Sequence, residues 1–62
     1  MIKAKIQPMI KGEDGFDDPH YLILKDDDLP ALIIRFDDWG GAYDALFPLN
    51  FTDDVEVQDA NS

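Results

Sequence analysis

The amino-acid sequence predicts a small α+β domain: a small antiparallel sheet of about four strands with one short helix, in the order β-β-β-α-β. Hydrophobic residues make up 45% of the chain, a share too high for a polypeptide kept disordered by its charge. Apolar and polar residues alternate in several segments, and one segment has helical spacing instead. A chain of 62 residues has room for one domain, which we expect to span residues 1–58, with residues 59–62 as a frayed C-terminal tail.

The first strand is predicted at residues 1–7, where apolar side chains alternate with lysine and glutamine. Pro8 lacks a backbone donor, so the strand should end there, bulge, or lie at a sheet edge. Residues 11–19 concentrate glycine, aspartate and proline, which indicates a loop before the second strand.

Residues 20–25 and 31–36 are the next two predicted strands, and the turn at residues 26–30 should join them as a hairpin. Residues 31–36 form the most apolar run of the chain. Because a strand buried on both faces is apolar throughout, we expect this segment to be the central strand.

A short helix of about three turns is predicted from residue 39, because apolar residues recur there at helical spacing. Either Asp37 or Asp38 would cap its first amide groups, and Pro48 would end it. Gly40 and Gly41 each disfavour a helix by about 1 kcal/mol relative to alanine, so packing has to hold it in place.

A last strand is predicted within residues 50–58, with Val55 and Val57 facing inward. The alternative is an all-β, barrel-like domain in which residues 39–46 form only a helical turn. The residues expected to form one core are Ile6, Leu22, Leu24, Leu32, Ile34, Phe36, Trp39, Tyr43, Leu46 and Val57.

The charge balance argues against two classes of direct partner. Fourteen acidic residues stand against five basic ones, giving a formal charge of -9. Such a surface repels phosphate, so we expect neither direct binding of nucleic acid nor adhesion to an anionic membrane.

The residue inventory also argues against an enzyme. The chain has no cysteine, and no sequence pattern joins its single histidine, His20, to Thr52 and an orienting acid; Ser62 lies at the chain end. We expect His20 to lie at the surface at the start of a strand. No cofactor is expected, and no specific metal site, because the acid spacing matches no EF-hand loop and zinc lacks cysteine ligands.

The acidic residues are the strongest functional signal, because most of them occur as adjacent groups at expected turns and element ends. In that position several groups can converge on one rim of a small sheet. The ordinary explanation is that aspartate favours turns and caps and keeps a small protein soluble. The predicted partner-binding residues are these groups and one aromatic residue: Glu13, Asp14, Phe16, Asp17, Asp18, Asp26, Asp27, Asp28, Asp37, Asp38, Asp53 and Asp54.

Phe16 belongs to this set because it lies between Gly15 and Asp17 with no periodic reason to be buried. It is either an exposed anchor at an interface or tucked under its own loop.

The chain is small, has no cysteine and contains the acidic runs EDGFDD, DDD, FDDWGG and FTDDVEV. In these features it resembles the phage-encoded acidic inhibitors of host defence and host enzymes. These inhibitors include anti-restriction and anti-CRISPR proteins that mimic DNA. The resemblance implies binding to the basic, DNA-accepting surface of a host nuclease or surveillance complex, in the host cytoplasm. These inhibitors share no common fold, so no residue role is carried over. The basic N-terminal strand departs from the profile and would have to face away from the partner.

Two functional hypotheses follow. The first is an inhibitor that occupies the basic surface of a nucleic-acid-binding host protein. The second is a general interaction module, such as an antitoxin, an immunity protein or a small subunit of a larger assembly, that binds through an aromatic patch. The sequence is also compatible with a homodimer formed through an edge strand or the helix face.

Overall fold

The computed structural model describes residues 1–58 and shows a sheet with one short helix packed on it. The elements are β1 (Ile2–Pro8), β2 (His20–Lys25), β3 (Leu32–Phe36), α1 (Trp39–Leu46), a 3-10 helix (Phe47–Phe51) and β4 (Val55–Gln58). The predicted α+β fold and its order β-β-β-α-β are confirmed, as against the barrel-like alternative. The predicted tail, residues 59–62, lies outside the described residues.

The four strands lie in the order β3-β2-β1-β4. β1 pairs with β2, and β2 with β3, in antiparallel fashion, whereas β4 pairs with β1 in parallel. The sheet is therefore mixed, and the antiparallel prediction fails for this one pair. The reason is the path of the chain: α1 and the 3-10 helix carry it back to the end of the sheet where β1 begins, so β4 runs in the direction of β1.

The prediction that residues 31–36 form the central strand is wrong. β1 and β2 are the central strands, and β3 is an edge strand. Leu32 is 58% exposed, and Ile34 is exposed as well. β4 takes the place beside β1, and no strand within residues 1–58 covers the free edge of β3.

The core is small and lies between α1 and the two central strands. Its buried apolar side chains are Ala4, Ile6, Leu22, Ala42 and Leu46, and the partly buried Leu24, Phe36, Trp39, Leu49 and Val55 pack against them. Six of the ten predicted core residues are therefore in this cluster.

The other four predicted core residues are exposed and were assigned wrongly: Leu32, Ile34, Tyr43 and Val57. An eight-residue helix is only about 12 Å long, which is too short to cover the whole sheet, so Leu32, Ile34 and Val57 on the two edge strands stay exposed. Tyr43 lies on the outer side of α1, because the side that faces the sheet is occupied by Ala42 and Leu46.

The ends of α1 agree with the sequence signals. The Asp38 carboxylate accepts a hydrogen bond of 2.6 Å from the Gly41 backbone amide, so Asp38, not Asp37, is the N-cap. Pro48 lies in the 3-10 helix that follows directly, and α1 stops at Leu46. At eight residues the helix is shorter than the three turns expected.

His20 is buried, with 2% of its surface exposed, so the expectation of a surface histidine is wrong. It opens β2 on the face that α1 covers, opposite Phe36 of β3. Its Nδ1 lies 2.7 Å from the backbone oxygen of Asp18. Because a carbonyl oxygen can only accept, Nδ1 carries the proton and His20 anchors the end of the preceding loop.

Candidate functional site

The acidic groups lie at two opposite ends of the sheet rather than on one rim. Antiparallel connections alternate between the ends of a sheet, which explains the division. We call the two ends the loop end, where β1 and β3 finish, and the turn end, where β2 finishes and β4 begins.

The loop end carries six of the predicted acids. The loop between β1 and β2 and the junction between β3 and α1 meet here, because the Trp39 amide donates a hydrogen bond of 3.0 Å to the Phe16 carbonyl oxygen. The acids at this end are Glu13, Asp14, Asp17, Asp18, Asp37 and Asp38.

The turn end carries the other five, in the turn between β2 and β3 and in the turn before β4. They are Asp26, Asp27, Asp28, Asp53 and Asp54. The N-terminal amino group lies 4.0 Å from the Asp26 carboxylate, which is the one ion pair recorded within residues 1–58. The positive N-terminus therefore offsets part of the charge at this end.

Three of the eleven acids stabilise local structure through their carboxylates. Asp38 caps α1, and Asp18 accepts a hydrogen bond of 2.9 Å from the Gly15 amide. Asp26 accepts one of 2.7 Å from the Asp27 amide. The ordinary explanation of acids in turns and caps therefore holds for these three.

Four acids of the loop end have no such role. The side chains of Glu13, Asp14, Asp17 and Asp37 are exposed, and no carboxylate hydrogen bond or ion pair is recorded for them in the part of the chain that the structure describes. These four carboxylates are free to meet a partner.

Phe16 lies among these carboxylates and is an exposed residue, with 62% of its surface accessible. Its ring tilts against the Trp39 indole with 6.1 Å between centroids. A Cβ on Gly40 would lie 2.6 Å from the Phe16 ring, so glycine at the first turn of α1 allows this close approach. Phe16 is therefore exposed rather than tucked under its own loop, and α1 holds its ring in place.

The aromatic surface is larger than the sequence patterns predict. Five rings form a continuous line, which we call the aromatic row: Phe16, Trp39, Tyr43, Phe47 and Phe51. Successive centroids are 6.1, 4.7, 5.9 and 5.2 Å apart, within the range of favourable aromatic pairs. The signal was present in the sequence, because the last four rings are spaced four residues apart, which places them on one helical face.

The aromatic row begins at the loop end and continues along α1 and the 3-10 helix. Tyr43 and Phe47 are exposed, and Phe51 is 77% exposed. A contiguous exposed apolar surface on a chain this small is a typical feature of an interaction site.

No group of three or more histidine, aspartate or glutamate side chains in residues 1–58 is placed to hold a metal ion. Over the same residues, no helix has the length and apolar character to span a bilayer.

No protein-family model, curated protein or solved structure matches the chain. A function can therefore be inferred only from the geometry of the protein's own surfaces.

Proposed function

We propose that the protein is a small binding protein whose loop end occupies a basic, nucleic-acid-accepting surface of a partner protein and thereby excludes nucleic acid from it. The observation that carries this proposal is the loop end itself. Four free carboxylates lie at the same end of the sheet as an exposed phenylalanine that is held against the first turn of α1.

The charge at the loop end supports fast association with a basic surface. Six acids lie there, and Lys11 is the one basic residue in the loop between β1 and β2. Complementary charge accelerates encounter and selects against acidic partners, while affinity depends more on buried anchors. Phe16 and Trp39 supply such an anchor beside the carboxylates.

The free acids also resemble the charge of a nucleic-acid backbone in kind, because each carries one negative oxygen group on a short side chain. Asp14, Asp17 and Asp37 have few rotamers, so little conformational entropy is lost when they are fixed against a partner. A basic surface that accepts phosphates would accept these carboxylates by the same charge-assisted hydrogen bonds.

The test is capture of partners from cells of the source organism with three forms of the tagged chain. The first is the unchanged chain. The loop-end variant carries Glu13→Gln, Asp14→Asn, Asp17→Asn and Asp37→Asn. The turn-end variant carries Asp27→Asn, Asp28→Asn, Asp53→Asn and Asp54→Asn. Both variants lose four charges, and neither removes a carboxylate that the structure shows in a hydrogen bond.

We expect the unchanged chain and the turn-end variant to capture the same nucleic-acid-binding protein, and added duplex DNA to release it. The loop-end variant should recover it at about one tenth of that level or less, because buried charge pairs are worth several kcal/mol. Equal recovery by both variants would overturn the assignment to the loop end.

The second candidate is an interaction module that binds through the aromatic row, and the exposure of Phe47 and Phe51 favours it. Phe47→Ser with Phe51→Ser changes the part of the row that lies away from the loop-end acids. Loss of capture in this variant, with no loss in the loop-end variant, would support the module instead.

A further inference from the structure

The face of the sheet that α1 does not cover, which we call the open face, has a charge opposite to that of the whole molecule. Alternate residues of each strand point to opposite faces. The strand pairing places these residues on the open face: Lys3, Lys5, Gln7, Tyr21, Ile23, Lys25, Ile33, Arg35, Glu56 and Gln58. Four of the five basic residues of the chain are in this set, and Glu56 is its one acid within residues 1–58.

The open face has an apolar centre with cations on both sides. Ile23 is paired with Ile33, which is 56% exposed. Arg35 lies two residues from Ile33 along β3, toward the loop end. Lys25 lies two residues from Ile23 along β2, toward the turn end, and is paired with Lys3. Each of these steps is about 6.6 Å along a strand.

The cations of the open face do not stabilise the fold through ion pairs. Lys3 and Lys25 are directly opposite each other, an arrangement that destabilises a sheet, while on its other side Lys3 is paired with Glu56 of β4. Within residues 1–58 the single ion pair involves the N-terminal amino group, and Lys25 instead donates a hydrogen bond of 3.4 Å to the Leu29 carbonyl oxygen. An acidic ligand would compensate this concentration of positive charge.

Neither a nucleic acid nor a second copy suits the open face well. A polyphosphate chain that continues beyond the roughly 20 Å length of the strands would meet the acids of the loop end or the turn end. Two open faces packed against each other would oppose lysine to lysine. A ligand that matches the face presents apolar side chains to Ile23 and Ile33 and carboxylates to the cations around them.

We propose that the open face is a second binding surface, and that its ligand is an acidic amphipathic segment of a partner protein. It is separate from the loop end and does not depend on the proposed function. With one surface for a basic partner and another for an acidic one, the protein would join two partners rather than bind only one.

The test is a titration of the isotopically labelled full chain with a synthetic 16-residue peptide of glutamate and leucine, whose leucines lie on one helical face. Amide shifts should centre on residues 3, 5, 23, 33 and 35. Lys5→Glu and Arg35→Glu should each weaken binding about tenfold, as expected for removal and reversal of a charge in the contact. The matched control Lys11→Glu makes the same change in net charge within the loop at residues 11–19, and should weaken binding less than about twofold.

Lys5→Gln and Arg35→Gln keep the test decisive if a charge reversal unfolds the domain, and they should show a smaller loss of the same kind. The loop-end variant should bind the peptide at least as tightly as the unchanged chain. No binding, an equal loss in Lys11→Glu, or shifts centred on the aromatic row would overturn the proposal. Tighter binding of a single-stranded DNA oligonucleotide than of the peptide would also overturn it. A dimer that is detected by sedimentation and buries the open face would do the same.

Discussion

Leu22 is the largest apolar side chain that the fold buries almost completely, and two of the other four core residues are alanines. A core this small places much of the stability on a few aliphatic side chains. Residue type alone does not identify them, because Leu32 has the same side chain and lies exposed on β3.

We therefore expect Leu22→Ala to destabilise the domain by about 2–5 kcal/mol, since it removes buried methyl groups and leaves a cavity. Leu32→Ala, the matched control, should cost less than about 1 kcal/mol, because most of the side chain is already in water. Urea denaturation of both variants measures the difference. Equal costs would mean that Leu32 on β3 contributes to the core as much as Leu22 on β2.

Single residues also show what local sequence signals predict well and what they miss. That Phe16 need not lie in the core could be anticipated from its glycine and aspartate neighbours, which left open whether it is exposed or tucked under its own loop. The burial of His20 could not, because it depends on α1 covering that end of β2 and on the Asp18 carbonyl oxygen within reach of Nδ1.

At the scale of elements, α1 is short and contains two glycines, so its N-cap matters more than in a longer helix. The Asp38 carboxylate accepts a hydrogen bond from the Gly41 amide, and its negative charge interacts favourably with the positive end of the helix dipole. The neighbouring Asp37 has the same charge but is exposed and does not cap.

Asp38→Ala should reduce the free energy of unfolding by about 1 kcal/mol, the usual cost of removing an N-cap. Asp37→Ala removes the same charge without removing the cap, so its effect should stay within about 0.5 kcal/mol. Thermal melts followed by circular dichroism test the pair. A greater loss of stability for Asp37→Ala than for Asp38→Ala would show that Asp38 is not the N-cap.

The type and order of the elements could be predicted from the sequence, because alternation, helical spacing and prolines are local signals. The order of strands in the sheet could not. It depends on β4 pairing in parallel with β1, a contact between the two ends of the chain that moves β3 to an edge. The errors at Leu32 and Ile34 have the same cause.

At the scale of the whole molecule, acidic and basic residues lie on different surfaces. Eleven acids lie at the two ends of the sheet, and four of the five basic residues lie on its open face. The sequence predicts the acidic groups and allows several of them to converge on one rim, and the basic N-terminal strand departs from the acidic profile. Only the strand pairing shows that Lys25 and Arg35 lie on the same face as Lys3 and Lys5.

This distribution predicts opposite effects of salt on folding and on binding. Like charges repel at each end, and one ion pair is recorded in residues 1–58, so sodium chloride should raise the melting temperature by screening repulsion. The same salt should weaken a complex between the loop end and a basic partner. Melts and binding titrations in one salt series measure both. A melting temperature that falls with salt would show that attractive charge pairs, not repulsion, dominate the folded state.

The most direct test of the central claim is a competition titration with the nucleic-acid-binding protein that the chain captures. Labelled duplex DNA is bound to that protein, and the unchanged chain is added at several concentrations. We predict mutually exclusive binding: the apparent Kd for DNA rises in proportion to the concentration of the chain, and the loop-end variant has little effect. A ternary complex of partner, DNA and chain, with the DNA affinity unchanged, would contradict the account.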